Sequence, residues 1–139
     1  MTRTVLLVDD EKQPLKYYVW ALEREGFKVM QCYDPDTAFD FVDKQTPDIV
    51  AVILDIMMLP GERYRDKDTQ EGLTTGTFLY DDLRSRYPDV PVIVITNVSN
   101  RETLQYFKGD PKLQVVQKLD VPPFELAQLV SRMVESDTE

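Results

Sequence analysis

The run Ile49-Val50-Ala51-Val52-Ile53-Leu54, ended by Asp55, decides how this chain is to be read. Six apolar residues, four of them β-branched, are too few for a helix of ordinary length and show no apolar/polar alternation. That pattern fits a strand covered on both faces. Shorter runs of the same kind recur on either side: Thr4 to Val8, Phe27 to Tyr33, Val90 to Ile95 and Gln114 to Gln117. Between them lie stretches with helical spacing. Glu11 to about Glu25 carries Leu15, Tyr18, Val19 and Leu22 on one side, and Gly26 ends it. Asp34-Pro35-Asp36 opens a second helix that closes near Lys44. Gly76 to Tyr87 makes a third, about Ser99 to Lys108 a shorter fourth, and Pro122-Pro123 starts a fifth, since proline suits a first helical turn. Only Ser136 to Glu139 is expected beyond it. Five such units predict a doubly wound α/β domain, a five-stranded parallel sheet with helices on both faces.

Composition sets bounds on function. The net charge of -9, from 25 acidic and 16 basic side chains, argues against a nucleic-acid backbone as partner. The chain has no histidine, so imidazole bases, imidazole zinc ligands and a phosphohistidine of its own are excluded. Its single cysteine, Cys32, cannot form an internal disulfide, and no apolar run approaches the ~20 residues that span a bilayer. With no signal-peptide layout after Met1-Thr2-Arg3, a cytoplasmic location is expected.

In open parallel sheets, ligands bind where the strands end at their carboxyl side. The first strand ends in Asp9-Asp10, the third in Asp55, the fourth in Thr96 and the fifth in Lys118. Three carboxylates, a hydroxyl and an ammonium are thus expected along one edge. Two carboxylates ~4 Å apart repel by about 4 kcal/mol at an effective dielectric near 20. Three together call for protonation or a cation, and an all-oxygen donor set favours Mg2+. A carboxylate can also act as a nucleophile towards phosphorus, with cations neutralising the equatorial oxygens during transfer.

Val-Asp-Asp-Glu at 8–11, Leu-Asp-Ile-Met-Met at 54–58, Val-Ile-Thr-Asn at 94–97 and Gln-Lys at 117–118 resemble, in order and spacing, the receiver domains of two-component response regulators. The resemblance spans essentially the whole chain, 1–139, and implies a single chemotaxis-regulator-like receiver with no output domain. It implies the flavodoxin-like strand order 2-1-3-4-5. It also implies Asp55 as phosphoacceptor, Mg2+ bound by Asp9, Asp10, Asp55 and the Met57 carbonyl, and Lys118 and Thr96 contacting the phosphoryl group. The donor would be a histidine kinase or phosphotransfer protein. Output would pass to an unknown protein target, with no direct nucleic-acid or membrane partner. A homodimer through the face of the fourth helix, fifth strand and last helix is an arrangement the resemblance allows. No conventional enzyme activity is expected beyond assistance to Asp55 phosphorylation and dephosphorylation.

Three departures stand out. Twenty residues separate Asp55 from Gly76, so the connection at about 59–75 is longer than the family's usual one. It begins beside the nucleophile and is expected to control which donor or phosphatase reaches Asp55. Its charges nearly cancel, four acidic (Glu62, Asp66, Asp68, Glu71) against three basic (Arg63, Arg65, Lys67), so electrostatic steering alone is not expected. Gly72-Leu73-Thr74 within it is a candidate extra helical turn. The family's switch aromatic is Val115 here, and the proline after the lysine is Leu119, for which a trans bond is expected.

Each residue also has a plainer reading. Asp10-Glu11-Lys12-Gln13 matches a capping box, so Asp10 alone would serve equally well as a helix cap. Trp20 falls off the apolar stripe of the first helix and should face outward, either as a partner contact or as a half-covered surface residue. Other classes fit less well. A haloacid-dehalogenase-like phosphatase would want a second aspartate at Met57, and a nucleotide-binding fold a glycine-rich turn where Asp9-Asp10-Glu11-Lys12 stands. The rival reading is a degenerate receiver that acts as an interaction module without phosphorylation.

Overall fold

In the computed structural model, residues 3–11, 15–45, 48–97, 101–118 and 120–138 are described. Five strands, β1 (Thr4–Val8), β2 (Lys28–Cys32), β3 (Ile49–Leu54), β4 (Val92–Thr96) and β5 (Leu113–Gln117), alternate with five helices. The helices are α1 (Lys16–Arg24), α2 (Pro35–Gln45), α3 (Thr75–Arg86), α4 (Arg101–Gln105) and α5 (Pro123–Thr138). All strands run parallel in the order β2-β1-β3-β4-β5, as expected.

Strand geometry turns successive side chains to opposite faces, and the two cores follow from it. Leu6, Val8, Val52, Leu54, Val92 and Val94 pack with Ala38, Phe39 and Val42 of α2 and Leu79 and Leu83 of α3. Val5, Leu7, Ile53, Ile93 and Ile95 pack with Tyr18 and Leu22 of α1 and Leu126, Ala127, Val130 and Val134 of α5. The central strands β1, β3 and β4 are therefore apolar apart from Thr4 at the start of β1 and Thr96 at the end of β4. The edge strands β2 and β5 are only partly buried, and Gln114 and Val115 face solvent. Burying each large aliphatic side chain contributes roughly 1.5–3 kcal/mol, so the two-sided central strands supply much of what holds the sheet.

Several helix limits differ from those expected. α1 begins at Lys16 rather than Glu11, so Asp10 lies well before the helix and does not cap it; Lys12 and Gln13 of the candidate capping box lie outside the described residues. Glu25 closes α1 and Gly26 follows with φ +95, the left-handed step that glycine takes without penalty. α4 is one short turn, Arg101–Gln105, continued by turns to residue 109; Ser99 lies outside the described residues. α5 runs on to Thr138, leaving no four-residue tail. At the sheet edge away from the strand carboxyl ends, Arg84 ties α3 down: its guanidinium pairs with Asp110 (2.8 Å) and donates to the carbonyls of Tyr87, Val90 and Lys112. Among the described residues no helix is long and apolar enough to cross a membrane.

Candidate phosphoryl-acceptor site

The sheet ladder does not stop where the strands do. Asp9 N donates to Cys32 O (3.0 Å), Asp55 N to Val8 O (3.0 Å) and Lys118 N to Thr96 O (2.8 Å). These bonds hold the backbones of Asp9, Asp55, Thr96 and Lys118 in register at the carboxyl edge. The sheet itself thus fixes the relative placement of the side chains named from sequence.

Asp9 and Thr96 are fully buried, and Asp55 and Lys118 nearly so, while Asp10 is exposed. The Lys118 ammonium sits between two carboxylates, 2.8 Å from Asp9 Oδ2 and 3.0 Å from Asp55 Oδ2, with Glu11 Oε1 at 3.5 Å. Asp9 Oδ1 accepts from Glu11 N at 2.8 Å, and Asp55 Oδ1 from Ile56 N at 2.7 Å. Carboxylate oxygens of Asp9, Asp10 and Asp55 lie within 4.8 Å of one another. Glu11 was not singled out from sequence as a neighbour of the lysine; its place directly after Asp9-Asp10 is the signal that pointed to it.

Burial governs the electrostatics. It pushes the Asp9 carboxyl up to about 6, with the Asp55 charge adding to it and Lys118 opposing. Asp10 is raised for the same first reason and by the neighbouring Asp55. Burial alone would depress the Lys118 ammonium, but its hydrogen bonds to Asp9 and Asp55 and their charges outweigh this and raise it. One cation thus faces three carboxylates, and the local excess of negative charge is the property of a cation site. Beyond its ion pair, Asp9 Oδ2 is buried with no hydrogen bond. The donor set is oxygen only, so the residues present fit a hard divalent cation.

A cleft of about 330 Å³ opens over these groups, with Asp10, Glu11, Asp55, Met57 and Asn97 on one side and Leu59, Glu71, Gly72 and Leu73 on the other. The second set comes from the long connection at about 59–75. It is folded. Gly61 turns with φ +67 against the Asp36 carboxylate, which accepts Glu62 N (2.8 Å) and Arg63 N (2.9 Å). The Arg63 guanidinium lies over the Phe39 ring at 3.5 Å, and its Nε is 3.3 Å from Asp82. Tyr64 is buried against Phe78, and its hydroxyl donates to Asp82 Oδ2 at 2.6 Å.

No helical turn forms at Gly72-Leu73-Thr74; a left-handed stretch, Gln70 to Gly72, leads into it instead. Gln70, Glu71 and Gly72 have φ of 53, 61 and 94, and Leu73 N and Thr74 N donate back to Gln70 O and Thr69 O. Gly72 O accepts Met58 N at 3.1 Å, and a Cβ on Gly72 would lie 2.8 Å from Met58 O. Gly76 is under a similar constraint, since a Cβ there would meet the Asp55 carbonyl at 2.4 Å. These two glycines let the returning chain press against the backbone just after β3.

Two further expectations find their place. Val115 stands exposed on edge strand β5, paired with Val94. Trp20 points outward as predicted, stacked under Arg24, and with Tyr17 and Phe124 it lines a groove between α1 and the start of α5. Leu119 lies outside the described residues.

A family model for the response regulator receiver domain matches residues 5–132. Among solved structures, a CheY-like receiver domain protein from Methanospirillum hungatei superposes with a TM-score of 0.76 at 17% identity, covering 99% of this chain and 98% of that one. The chemotaxis response regulator CheY4 of Vibrio cholerae gives 0.69 at 20% identity, covering 96% and 99%. NtrX from Brucella abortus gives 0.74 at 23% identity, where 99% of this chain matches only 28% of that one. At these identities the structures establish the fold.

Proposed function

Because this chain belongs to the response regulator receiver domain family, we propose that it relays a signal by accepting a phosphoryl group on Asp55. The observation that carries the reading is Lys118 buried between Asp9 and Asp55, with Asp55 itself lining an acidic cleft. In this reading an Asp55 carboxylate oxygen attacks phosphorus as the bond to the donor's leaving group breaks. Lys118 Nζ, already 3.0 Å from Asp55 Oδ2, contributes positive charge to an equatorial phosphoryl oxygen. The Thr96 hydroxyl, buried at the neighbouring strand end, offers a donor to another. Asp9, Asp10, Asp55 and the Met57 carbonyl would hold Mg2+, which when bound supplies charge neutralisation for the transferred group.

The donor would be a histidine kinase or phosphotransfer protein, and output would pass through protein–protein contacts, with the exposed Tyr17, Trp20 and Phe124 as contact residues. Intact-mass measurement after exposure to acetyl phosphate and Mg2+ tests the reading. One phosphoryl mass is expected in the wild type, none in Asp55→Asn, and none when Mg2+ is chelated. Labelling that survives either change would overturn it. The second reading, an interaction module that works unphosphorylated, draws on Val115 in place of an aromatic switch residue, and a wild type that takes no label would favour it.

A further inference from the structure

We propose that Leu59 and Leu73, two leucines that the long connection places at the mouth of the acidic cleft, set the lifetime of the phosphoryl group by keeping water from it. The proposal rests on Asp55 being the phosphoacceptor. Leu59 is 72% exposed and Leu73 49% exposed, yet both line the same cleft as Asp55. A single exposed leucine needs no explanation. Two on one acidic cleft, where half-exposed Met57 also contributes to the lining, give its exposed part an apolar character beside the buried carboxylate.

The chain fixes that arrangement at three points. Gly72 O accepts Met58 N, which locks the residue before Leu73 against the residue before Leu59. Gly72 has its Cα where a side chain would strike Met58 O, so the approach is as close as backbone allows. Further along, Tyr64 and Arg63 fasten the connection to α2 and α3 through Phe39, Phe78 and Asp82.

Loss of the phosphoryl group is a hydrolysis. A water oxygen forms a bond to phosphorus opposite the Asp55 oxygen, and the phosphorus–oxygen bond to Asp55 breaks. The electron pair returns to the carboxylate, inorganic phosphate leaves, and a water proton passes to phosphate or solvent. Asp55 is 5% exposed and lines the cleft whose more exposed residues include Leu59 and Leu73, so the in-line water approaches through that cleft. Leucine side chains there fill space and offer the water no hydrogen bond, so no well-ordered attacking position forms.

The test labels the full chain with 32P-acetyl phosphate and Mg2+, removes the donor, and follows loss of label. Leu59→Ser, Leu73→Ser and the double variant should lose label several-fold faster than the wild type. Leu73→Met, which restores apolar bulk, should return close to the wild-type rate. Lys67→Ser, on the same connection but away from the cleft, should leave it unchanged. Both leucines are surface residues, so far-UV circular dichroism should be unaltered, and alanine at the same positions provides a second, smaller apolar replacement expected to fall between. Serine variants that keep the wild-type lifetime, or lengthen it, overturn the proposal while leaving Asp55 as acceptor. A wild type that takes no label overturns the acceptor reading and this inference with it.

Discussion

Replacing Lys118 with methionine removes the one cation lodged between Asp9 and Asp55 while keeping much of the side-chain volume. At separations of 2.8 and 3.0 Å, each lysine–carboxylate attraction is about 5–6 kcal/mol at an effective dielectric near 20. Desolvation of the three groups offsets much of that. Breaking a buried pair by deleting one partner costs about 3–5 kcal/mol, because the remaining charge is left uncompensated. In chelator at pH 8, Lys118→Met should therefore be destabilised by roughly 3–5 kcal/mol, which moves a urea midpoint by more than about 1 M. The pH dependence has a definite sign. Asp9 is raised from its ordinary 3.8 to about 6 in the folded protein, so the fold binds a proton more tightly than the unfolded chain does. Stability from this group is greatest below pH 3.8 and falls as pH rises through about 6. Without the lysine, Asp9 rises further, so the variant should regain stability on acidification over a window extending above pH 6. Added Mg2+ should also restore part of the loss at pH 8. Urea unfolding followed by far-UV circular dichroism measures all three. A variant with wild-type midpoint at pH 8 in chelator would show that the lysine does not balance these carboxylates.

Tyr64→Phe keeps the buried ring but deletes the hydroxyl that donates to Asp82, so a loss of about 1 kcal/mol in urea unfolding is expected. A beryllium fluoride phosphoryl mimic should move Thr96 and Asn97 or the connection beside Asp55, with Val115 staying in place. Valine is short and nearly fixed at χ1, so it cannot make the excursion an aromatic would. Structures with and without the mimic check this, and a rearrangement centred on Val115 would contradict it.

The sheet was legible because its central strands are buried on both sides and so read as unbroken apolar runs. β3 matched its expected limits at Ile49–Leu54 for that reason. The helix ends were less legible. α1 starts at Lys16, and no side-chain hydrogen bond caps it at Leu15, so the acidic run Asp9-Asp10-Glu11 misleads a capping argument. Asp9, Asp10, Asp55, Thr96 and Lys118 could be named because strand ends locate them without any knowledge of side-chain contacts. The wall that Glu71, Gly72 and Leu73 add to the cleft could not be named. It depends on Asp36, Phe39 and Asp82 reaching residues 18 to 27 positions away, and on three successive left-handed residues, Gln70 to Gly72. Only Gly61, Gly72 and Gly76 hinted at close backbone approaches.

The fastening of the connection at Asp36 and Asp82 bears on how a partner would meet this surface. A long loop left free must be ordered when something docks on it, and that ordering is subtracted from the interaction energy. Here the carboxylate of one helix holds two backbone amides, the carboxylate of another holds a buried phenol, and Gly72 O accepts Met58 N, so the connection is fastened at residues 62–64 and again at Gly72 when the domain folds. Association at the cleft would then proceed much as between preformed surfaces, with a small heat-capacity change and dissociation, rather than folding, setting its tempo.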